Sequence, residues 1–258
     1  MRLVTVALFR AGRLFARATR VLNHLAAGTL RIADLRVGIE HPWEHFSACD
    51  ANVAAGLLNW EEEVVARFVN PGDRLLLVGS GPGRDFIALA AKGYRVTGVE
   101  PARRAIATSR RHVEKRGLSA EIIEGFFEDV ALPGRFDVVM FSHYCYSFIP
   151  ESRRRIAALQ KAGAHLAAEG RILISYMTEQ SGHPLLIRCA RLAATLSGSD
   201  WRPERGDVLH PVDLAQPLFH YEHPFRPGEI DSEALAAGLR VAHRCDFPDV
   251  PVVVLVRA

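Results

Sequence analysis

The chain of 258 residues has little sulfur: its four cysteines, Cys49, Cys145, Cys189 and Cys245, stand far apart with no Cys-x-x-Cys pair. That spacing excludes a zinc ribbon and gives no disulfide framework, so reduced thiols in a cytoplasm are expected. Long apolar runs are also missing. Nothing reaches the roughly 18 uninterrupted apolar residues of a membrane span, so none is expected. The net charge is only +3, short of what a phosphate-tracking surface needs, and nucleic acid is not an expected partner. Three histidines late in the chain, His210, His220 and His223, lack carboxylates at matching spacing, so no metal is assigned.

What is present suits one principal α/β domain. Hydrophobic residues make up 49% and charged residues 24% of the chain, enough apolar material to offset the entropy of ordering it. Acid is scarce in the first 35 residues, where Asp34 stands alone among arginines. Those arginines recur inside the apolar run and no small-residue cleavage site follows, so the segment reads as part of the protein rather than a targeting peptide. Arg10, Arg13, Arg17 and Arg20 fall on one face of a helix, while Leu14, Ala18, Val21, Leu22 and Leu25 fall largely on another. Such a helix either packs across the mouth of the domain with its arginines in solvent or lies on anionic lipid or a lipid-like substrate. The stretch His41-Pro42-Trp43-Glu44-His45-Phe46 reads as a loop leading into a helix that ends at Phe68. Residues 1–60 are accordingly assigned to an N-terminal helical or lid segment, and 61–258 to the main domain.

From Arg74 the pattern alternates. Strands are expected at Arg74–Val78, Tyr94–Val99, Ala120–Glu124, Phe136–Phe141 and Arg171–Met177, with helices at Asp85–Lys92, Arg103–Arg116 and Glu151–Ala168 between them. Repeated β-α units require a mostly parallel sheet with helices on both faces. Residues 178–216 break the rhythm and read as a small cap insertion with a helical segment at Leu185–Leu196. A helix at Asp231–Ala237 and strands at Leu239–Asp246 and Val252–Val256 finish the chain. The link between that last pair is too short for a parallel crossover, so the final strand should run antiparallel.

The chemistry concentrates after the first of these strands. Gly79-Ser80-Gly81-Pro82-Gly83 forms a G-x-G-x-G turn between a buried strand and a helix, where any Cβ would hold a ligand off the main chain. Glu100 ends the second strand, the position from which a carboxylate accepts from both hydroxyls of a ribose. Dinucleotide enzymes place their third glycine where this chain has Arg84, which disfavours a nicotinamide oxidoreductase. Third-glycine spacing and element order instead resemble the class I S-adenosylmethionine-dependent methyltransferases of small-molecule type, over roughly Glu61 to Ala258.

The resemblance implies a Rossmann-like seven-stranded sheet with an antiparallel last strand, and S-adenosylmethionine as cofactor. It implies that Gly79, Ser80, Gly81 and Gly83 lie under the methionine part, that Glu100 with Pro101 holds the ribose, and that Phe126, Phe127 and Glu128 line the adenine. Many relatives have an aspartate where this chain has Phe126. Phe141 and Ser142 would lie near the sulfonium, and His143 is the base candidate, since an imidazole accepts a proton near neutral pH. A small-molecule acceptor would meet Trp43, Phe46, Tyr144, Tyr146, His183 and Trp201, giving methyl transfer to oxygen or nitrogen. A base is needed only where the acceptor is a neutral hydroxyl; since the sequence fixes no acceptor base, a methyltransferase-like binding protein without turnover is the non-enzymatic alternative.

Overall fold

A computed structural model describes residues 3–45, 49–179, 184–213, 216, 218–248 and 250–258. Phe46 and His183 lie outside the described residues. A seven-stranded sheet forms the centre, in the order β3-β2-β1-β4-β5-β9-β8. Its strands are β1 (Arg74–Val78), β2 (Arg95–Glu100), β3 (Glu121–Glu124), β4 (Phe136–Phe141), β5 (Leu166–Ser175), β8 (Leu239–Asp246) and β9 (Pro251–Arg257). The first five pair in parallel, while β9 runs antiparallel to both β5 and β8, as the short final link requires.

The central strands β1, β4 and β9 are mostly aliphatic because both faces of the sheet are covered there. Leu75, Leu77, Val138, Met140, Leu173 and Val254 enter one core, against α4 (Asn59–Phe68), α5 (Arg84–Ala91) and α6 (Arg103–Lys115). Their neighbours Leu76, Val139, Phe141, Ile172, Ile174 and Val253 enter the other, against α7 (Ser152–Ala164) and α9 (Glu229–Ala236). The period-two alternation of side chains along each strand produces this division.

A third cluster lies outside the sheet. Helix α1 (Leu3–Gly28) leads into α2 (Ile32–His45), followed by the short α3 (Asp50–Ala54), while α8 (Pro184–Ser197) and the antiparallel strands β6 (Val208–Asp213) and β7 (Leu218–Glu222) come late in the chain. Ala27, Ile32, Leu35, Trp201, Leu209, Phe219 and Tyr221 pack together and join α1 and α2 to β6 and β7. Contact is close enough that a Cβ on Gly38 of α2 would overlap the carbonyl of Phe219 in β7.

Three expectations are corrected here. His41 to His45 continue α2 through Pro42 and do not form a loop; the apolar face set by Ile32 and Leu35 carries the helix on. Helix α7 stops at Ala164 and Leu166–Gly170 belong to β5, because pairing of Leu166 with Phe136 outweighs the helical bias of an alanine-rich stretch. Finally, α1 does not pack across the mouth of the domain: from Leu3 to Arg20 every residue except Val6 is exposed.

Buried charge fixes one end of the molecule. Arg155 of α7 is fully buried and meets Glu233 of α9 at 2.8 Å and Glu204 of the cap at 3.0 Å. Beside it, His223 donates or accepts at Asp207 (2.7 Å) and lies 3.3 Å from Glu229. Glu204, Asp207 and His223 approach one another as metal ligands would, yet the guanidinium already neutralises Glu204 and Tyr221 donates to Asp207.

Candidate active site

In an open parallel sheet the ligand crevice opens where the strand order reverses, beyond the carboxyl ends of the strands. Here the reversal lies between β1 and β4, the chain having run outward through β2 and β3 before returning. The glycine turn begins there. The amide of Gly79 donates to Val99 of β2 (2.8 Å) and that of Ser142, just past β4, donates to Val78 (2.9 Å), which extends the sheet bonding into the turn from both sides.

Two of the glycines serve packing. Gly79 has φ 76°, and a Cβ there would overlap the sulfur of Cys145. Gly83 has φ 101°, and its Cβ would stand 2.6 Å from Oγ of Ser109 and 2.7 Å from Cδ1 of Ile87, so it lets α5 close onto α6. Gly81 is different: its absent side chain would point at the indole of Trp43, 3.5 Å from the nearest ring carbon. The crest of the turn therefore faces open space roofed by α2.

Glu100 is buried at the end of β2. Its Oε2 accepts from the amide of Gly81 at 2.7 Å and its Oε1 from that of Ala102 at 3.0 Å. Burial pushes its carboxyl up to about 7, while these two donors pull the other way.

Two cavities meet at the turn, sharing Trp43, Gly79 and Cys145. The first holds about 770 Å³ of space between the atoms. Glu100 and Pro101 line its floor, Phe126, Phe127 and Glu128 one side, and Ile32, Arg36 and Ile39 of α2 its roof. Arg36 lies 4.4 Å over the ring of Phe126 and bonds Asp129 at 2.7 Å, so α2 is tied to the segment after β3. The second cavity is lined by Ser80, Gly81, Arg84, Asp85, Ser142 and His143, with Asn52 and Leu58 opposite.

Around that second cavity lies a charged cluster. Arg84 donates both terminal nitrogens to Glu61, at 2.5 and 2.6 Å, and one of them to the carbonyl of Gly56. The hydroxyl of Ser142 donates to Asp85, whose carboxyl is pushed up by burial and by neighbouring Glu61. Burial pushes His143 below the usual imidazole range, leaving it neutral at neutral pH. Its Nδ1 is buried with no hydrogen-bond partner among the described residues, and its ring stands 5.9 Å from that of Trp60.

The residues singled out from sequence thus separate. Gly79, Ser80, Gly81, Glu100, Pro101, Phe126, Phe127, Glu128, Ser142, His143 and Trp43 line the joined cavities. Phe141 is core, edge-on to Phe127 and Tyr146. Tyr146 is buried and donates to Glu233 at 2.7 Å, and Trp201 is buried against Tyr221; neither lines these two cavities. Tyr144, at φ 61°, packs against the core beside His143. Missed from sequence were the α2 residues Ile32, Arg36 and Ile39, together with Cys145 and Asp85. Asp85 follows the third glycine directly and could have been found there. The α2 set could not, since nothing local to it signals a roof.

Comparison with known proteins agrees with this geometry. Residues 75–170 match a methyltransferase domain family. A curated relative, a cypemycin N-terminal methyltransferase from Streptomyces sp, is 31% identical over 118 residues, 45% of this chain and 45% of its own length; the match thus spans less than half of that protein. The solved structure of the CcbJ methyltransferase from Streptomyces caelestis superposes with a TM-score of 0.58 at 18% identity, covering 81% of this chain and 90% of the other. A glycopeptide N-methyltransferase, MtfA, solved with S-adenosyl-L-homocysteine, gives 0.57 at 18% identity, covering 81% and 91%. In its sheet order and the position of its glycine turn the chain has the Rossmann-like methyltransferase fold that these solved structures share, and its segment 75–170 matches the methyltransferase domain family.

Proposed function

We propose that this protein transfers a methyl group from S-adenosylmethionine to an oxygen or nitrogen of a small molecule, releasing S-adenosylhomocysteine, with nitrogen the favoured acceptor. The observation that carries the reading is the junction of two cavities across a turn without side chains, with a buried carboxylate at one side. The first cavity, with its aromatic wall and Glu100, would take a nucleoside, and the second, with Asp85 and Ser142, an amino-acid tail. Two relatives are named as methyltransferases of an N-terminus and of a glycopeptide nitrogen, which is the support for nitrogen.

When bound, the cofactor supplies a methyl group already activated by a positive sulfur. The chain's own residues would then hold and orient. Glu100 would accept from the ribose hydroxyls with the lone pairs its two backbone donors leave free. Pro101, Phe126, Phe127 and Glu128 would line the adenine. The main chain of Gly79 to Gly81 would touch the tail, and Asp85 with Ser142 would receive its ammonium group. Trp43, reaching both cavities, would cover the junction and exclude water. His143, neutral through burial, would accept a proton from an acceptor that needs deprotonation, while an uncharged amine needs orientation alone. We place the protein in the cytoplasm, in keeping with its free cysteines.

The test is calorimetry with S-adenosylhomocysteine, followed by labelled-methyl transfer from S-adenosylmethionine to panels of amines and alcohols. Binding followed by transfer to an amine is expected. Absence of binding would overturn the cofactor assignment, and transfer to alcohols alone would overturn the preference for nitrogen.

A further inference from the structure

Helices α1 and α8 form a pair that the proposed chemistry does not use. Helix α1 has 26 residues, a rod about 39 Å long. Its end is anchored: Ala27 is fully buried, and a Cβ on Gly28 would overlap the carbonyl of Ala190 in α8. From Leu3 to Arg20 the helix stands clear of the body, every residue but Val6 being exposed. Leu3, Leu8, Leu14, Phe15 and Leu22 are 63–88% exposed and gather on one side at helical spacing, while Arg10, Arg13, Arg17 and Arg20 follow another side.

Helix α8 repeats the arrangement. It buries Ile187, Ala190 and Ala194 and turns a leucine stripe outward, with Leu185 at 70%, Leu192 at 58% and Leu196 at 79% exposure. Arg188 lies beside that stripe, and neither helix contains an aspartate or glutamate. Surfaces of soluble proteins seldom gather this much apolar side chain in one place without a partner.

The charge decides what the partner is. A bilayer span is ruled out for the described helices, none of which is long and apolar enough. A second copy of this chain would set arginine-bearing helices against each other with no acid on either to pair them. An anionic lipid surface satisfies both features, since its headgroups take the arginines and its acyl boundary takes leucine and phenylalanine. We infer that α1 and α8 together dock this protein on an anionic lipid surface.

The experiment uses the full chain and co-sedimentation with two kinds of vesicle, phosphatidylcholine alone and phosphatidylcholine mixed with phosphatidylglycerol. Binding to the mixed vesicles only is expected, weakened by salt through screening. Two variants probe the apolar faces, Leu8→Asp with Phe15→Asp, and Leu192→Asp with Leu196→Asp; a third, Arg13→Glu with Arg17→Glu, probes the charge. Each should weaken binding by about tenfold or more, with an unchanged circular dichroism spectrum showing that the body stays folded. No binding to the mixed vesicles, or binding that none of the variants alters, would overturn the inference. So would a dimer in sedimentation velocity that the apolar substitutions split, with no vesicle binding, since a second copy would then be the occupant.

Discussion

Glu100 is the residue on which the site turns. Replacing it with alanine removes the acceptor for charge-assisted bonds, and affinity for S-adenosylhomocysteine should fall by about 10- to 100-fold, measured by calorimetry on protein with unchanged circular dichroism. Its carboxyl also gives the site a pH signature. Burial holds it up at about 7 from an ordinary 4.5, so its contribution to stability is complete below about 4.5 and lost as pH rises through about 7. Ligand charge acts in the opposite sense. Ionised Glu100 attracts a sulfonium and gains nothing from the neutral sulfur of S-adenosylhomocysteine. The ratio of affinities, S-adenosylmethionine over S-adenosylhomocysteine, should therefore rise as pH passes through about 7. A flat ratio across that range would show that the carboxyl stays in one protonation state.

Among the elements, α2 carries the most functional weight per residue. It roofs the first cavity with Ile32, Arg36, Ile39 and Trp43, and its height above the turn is set by contact between Gly38 and the carbonyl of Phe219. Gly38→Val should force α2 off β7, lowering affinity for S-adenosylhomocysteine about tenfold and melting temperature by several degrees at about 1–3 kcal/mol of overpacking. Calorimetry and thermal melts separate the two effects. If melting falls while affinity holds, α2 is a support for the hairpin and not a roof.

For the whole molecule, stability depends on the buried charges that connect α7, α9 and the cap. Arg155→Met leaves Glu233 and Glu204 without their cation and should cost about 3–5 kcal/mol, read from denaturant unfolding. The neighbouring pair has its own pH window. Although burial alone would raise it, Glu229 is held at about 2 by hydrogen bonds from His223 and Arg226. Its contribution is present above the ordinary 4.5 and lost as pH falls through about 2. Burial works against a charged His223, yet its bonds to Asp207 and Glu229 outweigh it and raise the imidazole. That contribution is complete below 6.5 and lost as pH climbs past the raised value. Glu229→Gln should thus lower the melting temperature most between about 4.5 and 6.5, and less in alkaline buffer.

Local pattern alone determined the sheet and the turn. Continuous aliphatic runs such as Leu75 to Val78, ended by glycines and followed by helical spacing, have one stable arrangement, and the short link before β9 leaves only an antiparallel return. The positions of Glu100 and of Gly79 to Gly83 followed from that order, because a strand end and the turn after it are neighbours in sequence. Tertiary structure decided the remainder. Trp43 became part of the roof, while Trp201 and Tyr146, equally aromatic, became core; periodicity cannot distinguish a buried ring from one beside a cavity. Leu166 to Gly170 joined a strand because Phe136, 30 residues earlier, offered pairing that no local propensity reports. Likewise the leucines of α1 and α8 look like core in sequence, and only the folded chain, which buries their opposite faces or leaves them standing clear, shows that nothing within the chain covers them among the described residues. Burial depends on what distant segments bring to a surface, and that is settled by the packing of the whole.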